Sequence, residues 1–153
     1  MRKRREIAEH LDSEPNEFES LLEEIFHAPE DIDTEERALV LNLLDFLNDR
    51  LAISVIQRAL IYPDAKVRVK GLQAAYRRQV DSLNNKIEEI LRNSEEIFTI
   101  RKLAIHILGS TDPTSFGRLL RNIMKNDDED IELRKEAIFA LTNNPSNETV
   151  GAL

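Results

Sequence analysis

Three histidines, His10, His27 and His106, are the side chains best suited to hold a metal or move a proton near neutral pH. They fall in different segments without ligand spacing, and each is expected at a surface or an edge. The run Asp127-Asp128-Glu129-Asp130 lacks the alternation and the glycine of a calcium loop, so it suits a helix start, where carboxylates are favoured. Paired carboxylates such as Glu23-Glu24 and Glu88-Glu89 have the type for acid–base work, but on amphipathic helices they form a solvated face. The chain has no cysteine, which excludes a thiol nucleophile, an iron–sulfur cluster and a disulfide framework. It also has no glycine-rich phosphate loop and no Gly-x-Ser-x-Gly elbow. No catalytic constellation emerges, so the expectation is a non-enzyme without cofactor, metal or small-molecule ligand.

The elements that carry these residues are constrained by composition. The 153 residues suit one domain, and 33% charged residues with only 4 Gly and 5 Pro favour helices. No apolar run approaches the ~20 residues of a membrane helix. The start, Met1-Arg2-Lys3-Arg4-Arg5, leads into Glu6, Glu9 and Asp12 instead of an apolar signal core, so a cytoplasmic location and no membrane partner are expected. Charge is segregated: residues 1–49 carry 15 acidic and 5 basic side chains, residues 50–125 carry 7 and 14, and residues 126–153 carry 7 and 2. Both acidic ends oppose general binding to a phosphate backbone. The basic centre is either a set of solvated helix faces or a strip for an acidic partner.

A period of 33 residues organises the chain. Val67-Arg68, Ile100-Arg101 and Leu133-Arg134 recur at that interval, as do the small residues Ala38, Gly71, Ala104 and Ala137. The aliphatic column Leu39, Leu72, Ile105 and Ile138 and the column Leu41, Ala74, Ile107 and Ala140 follow the same step. Within a unit, Ile100, Ala104, Ile107 and Leu108 stand at i, i+4, i+7 and i+8, one face of an α-helix. The other half is helical too, as in Leu119, Leu120, Ile123 and Met124. Two helices of about 13 residues with short turns fill each unit, giving a helical hairpin that buries its apolar face only by stacking.

Punctuation fits those boundaries. Asp112 before Pro113 reads as an N-cap followed by a proline at the first helical position. Ser94, ahead of Glu95 and Glu96, reads as a second cap. Asn93 and Asn126 suit left-handed residues at the ends of first helices, while Gly109 and Asn143-Asn144-Pro145 are expected to stop second helices. Ile7 and Leu11 suggest a short amphipathic helix that covers the open end of the stack.

Val67-Arg68…Gly71-Leu72…Ala75 and Leu133-Arg134…Ala137-Ile138…Leu141 resemble the HEAT-like repeats, in the short version of phycobilisome lyase-type proteins. The resemblance covers roughly residues 16–153. It implies an all-α fold, a right-handed α-solenoid of about four stacked hairpins, with repeats at 16–48, 49–79, 80–111 and 112–144. Residues 1–15 would precede the stack, and 145–153 would begin a fifth unit. It also implies a ladder between neighbouring repeats, formed by an acidic residue of the intra-repeat turn and the arginine six residues later, a spacing that Glu95 with Arg101 and Asp128 with Arg134 match. Arg68 has Tyr62 at that spacing, with Asp64 as a closer substitute, and Glu35 stands where the first repeat would need arginine.

By the same resemblance the second helices line the concave side. Their non-core columns include Lys70, Gln73, Arg77, Lys102, His106, Lys135 and Phe139, the expected partner-binding residues. The expected function is a non-catalytic scaffold that binds another protein or peptide, with an acidic segment, on that face. Two alternatives stand beside it. One is nucleic-acid binding through the basic central repeats, which the lack of tryptophan as a stacking platform weakens. The other is an accessory subunit of a chromophore lyase-type complex, on family analogy alone.

Overall fold

A computed structural model describes residues 2–27 and 41–143. Their regular structure is helical, with no strand among the described residues. The helices are α1 (Arg2–Ser13), α2 (Pro15–His27), α3 (Asp49–Leu60), α4 (Ala65–Arg77), α5 (Asn84–Arg92), α6 (Phe98–Thr111), α7 (Pro113–Lys125) and α8 (Ile131–Thr142). A short 3-10 turn, Asp81–Leu83, leads into α5. Residues 41–43 are helical as well, while Ala38 and Leu39 lie outside the described residues. The chain divides into two compact units, Met1–Arg77 and Arg78–Leu153.

In the first unit α1 packs on α2, α2 packs on α3, and α3 and α4 form a hairpin. Phe18, Leu22, Leu51, Ile56, Leu60 and Leu72 are fully buried between them. Phe26 and Tyr62 meet edge to face with ring centres 5.7 Å apart, the arrangement that ring quadrupoles favour. Asn48 caps α3, its side chain accepting from the Leu51 amide at 3.0 Å. The expected Ile7–Leu11 face turns differently: Ala8 is buried and Ile7 is exposed. The small residue at the helix crossing has a clear cause, since a Cβ on Gly71 would stand 3.0 Å from the Ala59 Cβ.

In the second unit α6 packs against α5, α7 and α8, and α7 pairs with α8. Ile100, Ala104, Ile105, Ile107 and Leu108 of α6 join Ile87, Leu91, Leu120, Leu133 and Ala137 in its core. Asp112 caps α7 as its position predicts, accepting from the Ser115 amide at 3.0 Å. Hydrogen bonds from Ser115 hold its carboxyl below the usual carboxylate range.

Three punctuation expectations are corrected. Ser94 is not a cap: α6 begins at Phe98 after Ile97, and the turn is closed by Asn93 Oδ1 accepting from the Glu95 amide at 3.1 Å. Asn93 and Asn126 do end α5 and α7, but with φ of −74° and −79°, outside the left-handed region. Their side-chain oxygens accept from amides two residues on, which closes the turn without a left-handed residue. Gly109 does not stop α6 but lies inside it, where a Cβ would approach the Ala140 Cβ to 2.6 Å. Its lack of a side chain lets α6 and α8 come together. Asn143 does follow the last residue of α8, while Asn144 and Pro145 fall outside the described residues.

Candidate partner-binding surface

In the first unit, Lys70, Gln73 and Arg77 fall at i, i+3 and i+7 on α4, and all three are exposed. Arg77 Nη2 lies 3.3 Å from Asp45 Oδ1, an ion pair open to solvent. Lys70 has no ion pair among the described residues, and Tyr76 lies exposed beside Arg77.

In the second unit, Lys102 and His106 project from α6, and Lys135 and Phe139 project from α8, one helical turn apart in each case. Because α6 packs on α8, these four exposed residues share two adjacent helices. Lys102 Nζ reaches across to Glu136 Oε2 at 3.3 Å, and Lys135 Nζ pairs with Glu132 Oε1 at 2.7 Å along its own helix. Phe139 is 58% exposed. The surface therefore offers a large apolar side chain framed by internally paired charges. Its two lysines are held by carboxylates of the same unit, so it is less positive than composition implies. His10 and His106 are exposed, and no group of three residues that could hold a metal occurs among the described residues.

Arg101 of the first turn of α6 and Glu129 of the α7–α8 turn form a largely buried ion pair in the same unit. Arg101 Nη1 and Nη2 donate to Glu129 Oε1 and Oε2 at 2.9 and 2.6 Å, and Arg101 Nε donates to the Leu91 carbonyl at 3.1 Å. The two side chains are only 11% and 13% exposed. This bidentate geometry, with each partner's polar atoms engaged, is what makes such a charge tolerable in a core. The hydrogen bond from Arg101 holds the Glu129 carboxyl below the usual carboxylate range, against the upward push of burial.

The arginines do not pair with the acids six residues before them. Arg101 takes Glu129, 28 residues later, and not Glu95. Arg134 takes Asp127 at 3.0 Å and not Asp128. Glu95 and Asp128 are exposed, their amides bound to the preceding asparagines, so their carboxylates leave the interface. In the first unit, Asp64 Oδ1 accepts from the Lys66 amide at the start of α4, and Arg68 donates to the Tyr62 and Pro63 carbonyls. Sequence reasoning missed Glu129 and the role of Gly109. The signal available for Glu129 was its own column, in which Glu96 stands 33 residues earlier.

No family model matches the chain, and no curated protein or solved structure matches it. No helix among the described residues is long and apolar enough to cross a membrane.

Proposed function

We propose that this protein is a non-catalytic interaction scaffold, a HEAT-like right-handed α-solenoid that holds another protein or peptide on the face of its second helices. The 33-residue period supports the solenoid, and the hairpins α5–α6 and α7–α8 support stacking within the second unit. One observation carries the binding surface: Phe139, 58% exposed on α8, stands on the same pair of helices as Lys102, His106 and Lys135. An exposed aromatic ringed by polar side chains is the usual anatomy of a binding anchor, which is buried only in the complex. Paired lysines favour a protein partner over a phosphate backbone, because each is already compensated by Glu136 or Glu132.

The test is affinity capture from lysate of the source cell with the full chain and with the double variant Lys102→Glu, Phe139→Ser. Proteins retained by the natural chain are expected to be lost from the variant while its circular dichroism shows the helices still folded. Retention of the same proteins by both would sink the assignment of this face.

A further inference from the structure

Arg118, Arg121 and Lys125 stand at i, i+3 and i+7 on α7, with Thr114, Ser115 and Asn122 on the same face. Arg118 and Lys125 are exposed. Arg121 is half-buried, its guanidinium drawn back over Gly117, where an added Cβ would stand 3.6 Å from Nη1. Helix α7 contains no acidic residue, and none of its three cations has an ion pair among the described residues. Every other lysine and arginine between residues 84 and 143 is in an ion pair, as Lys102 is with Glu136 and Lys135 with Glu132. The contrast is sharpest with α5, where Glu88 stands in the column of Arg121 and Glu89 in that of Asn122, 33 residues earlier. Those two carboxylates pair with Arg92 at 2.6 Å and Lys86 at 3.6 Å. Helix α5 thus neutralises its own cations, whereas α7 leaves three charges of one sign together. The helix dipole accounts for Lys125 in the last turn of α7, but not for Arg118 and Arg121 in its middle.

We propose that this strip of α7 is a docking surface for a short acidic segment of another protein, with carboxylates spaced over two helical turns. Charge complementarity names the occupant's sign, and the two guanidinium groups suit carboxylates, which they can bind with two parallel hydrogen bonds. The ends of the strip name its length. From Arg118 to Lys125 it runs about 10 Å, with Asp112 before it and the exposed Asp127 and Asp128 after it. A phosphate backbone or an anionic lipid surface continues past that length and would be laid against these acids, whereas a segment with three carboxylates ends before them. The strip lies on a first helix, shares no residue with the row of Lys102, His106, Lys135 and Phe139, and does not depend on the function proposed for that row.

The experiment titrates the full chain at low salt with a fluorescent, alanine-based helical peptide that bears Glu at i, i+4 and i+7, and with its Gln counterpart. The Glu peptide is expected to bind at least ~10-fold more tightly, and the difference should shrink as salt is raised. The double variant Arg118→Gln, Arg121→Gln should abolish most of that difference. Asn122→Glu keeps all three cations but gives Arg118 and Lys125 a carboxylate on their own helix, which supports the helix and should weaken the Glu peptide several-fold. The double variant Lys102→Gln, Lys135→Gln should bind the Glu peptide as the natural chain does. Equal binding of the two peptides, or Glu-peptide binding indifferent to both the Arg118–Arg121 and the Asn122 substitutions, overturns the proposal. Loss of the Glu peptide only from the Lys102–Lys135 variant would give it to the α6–α8 face. Tighter binding of duplex DNA or of phosphatidylserine vesicles than of the Glu peptide, lost on the Arg118–Arg121 substitution, would give the strip to phosphate. Either of these results also overturns the proposal.

Discussion

Helices α6 and α8 of the second unit are written in one pattern and kept in two environments. Ile105 is fully buried and Ile138 is 43% exposed; Arg101 is clamped by a carboxylate 13% exposed, and Arg134 meets one 92% exposed. The residue types are shared, so the difference comes from what is stacked on each helix. In a stack of hairpins each unit contributes one face to the core and depends on a neighbour for the other. A column of identical residues therefore marks where a neighbour can sit, and burial shows where one does.

The sharpest way to break the comparison is truncation at equivalent sites. Ile105→Ala should destabilise by about 2–5 kcal/mol, the range for a buried aliphatic that leaves a cavity, whereas Ile138→Ala should cost under about 1 kcal/mol. Chemical unfolding of both variants checks this, and equal losses would mean that the two helices are covered alike. Next comes overpacking. Gly109→Ala places a Cβ 2.6 Å from that of Ala140, with no flexible side chain to yield, and should cost about 1–3 kcal/mol. Gly117→Ala in α7 meets only the Arg121 guanidinium at 3.6 Å and should stabilise by up to about 1 kcal/mol. Thermal melts of the two variants should move in opposite directions.

Smaller effects sit at the helix ends and in the titration of the clamp. Asp112→Ala should cost about 1 kcal/mol by removing the side-chain acceptor of the Ser115 amide. Ile97 caps α6 without a side-chain bond, so Ile97→Ala should leave that end of the helix equally capped, as read by exchange of the first-turn amides. Glu129 has a lowered pKa in the folded state. Its contribution is complete above the unfolded value near ~4.3 and is lost as pH falls through the lower folded value. Unfolding midpoints taken from about pH 6 to about pH 3 should decline less steeply for Glu129→Gln than for the natural chain.

Much of the fold is legible in the string because helix period and repeat period reinforce one another. Ile100, Ala104, Ile107 and Leu108 announce the buried face of α6, and Asp112-Pro113 announces the start of α7. Turn details resist such reading. Asn93 serves through its side chain with an extended backbone, and that choice depends on which amide lies within reach two residues on. Gly109 looks like a helix stop until Ala140 is brought against it by a segment 31 residues away. Glu129 is one of four consecutive acids, and it is the one that meets Arg101, a residue 28 positions earlier, so no local signal singles it out. For the candidate surface, exposure of Lys102, His106, Lys135 and Phe139 follows from their place off the apolar face. The pairing of Lys102 with Glu136 crosses two helices and has no local signature.

A pair of double-mutant cycles, Arg101 with Glu129 and Arg134 with Asp127, measures the stacking of α8 on α6 most directly. The buried, bidentate pair should show a coupling of about 2 kcal/mol or more, and the exposed pair under about 0.5 kcal/mol. Equal couplings, or none at Arg101, would contradict a docked α7–α8 hairpin locked by that clamp.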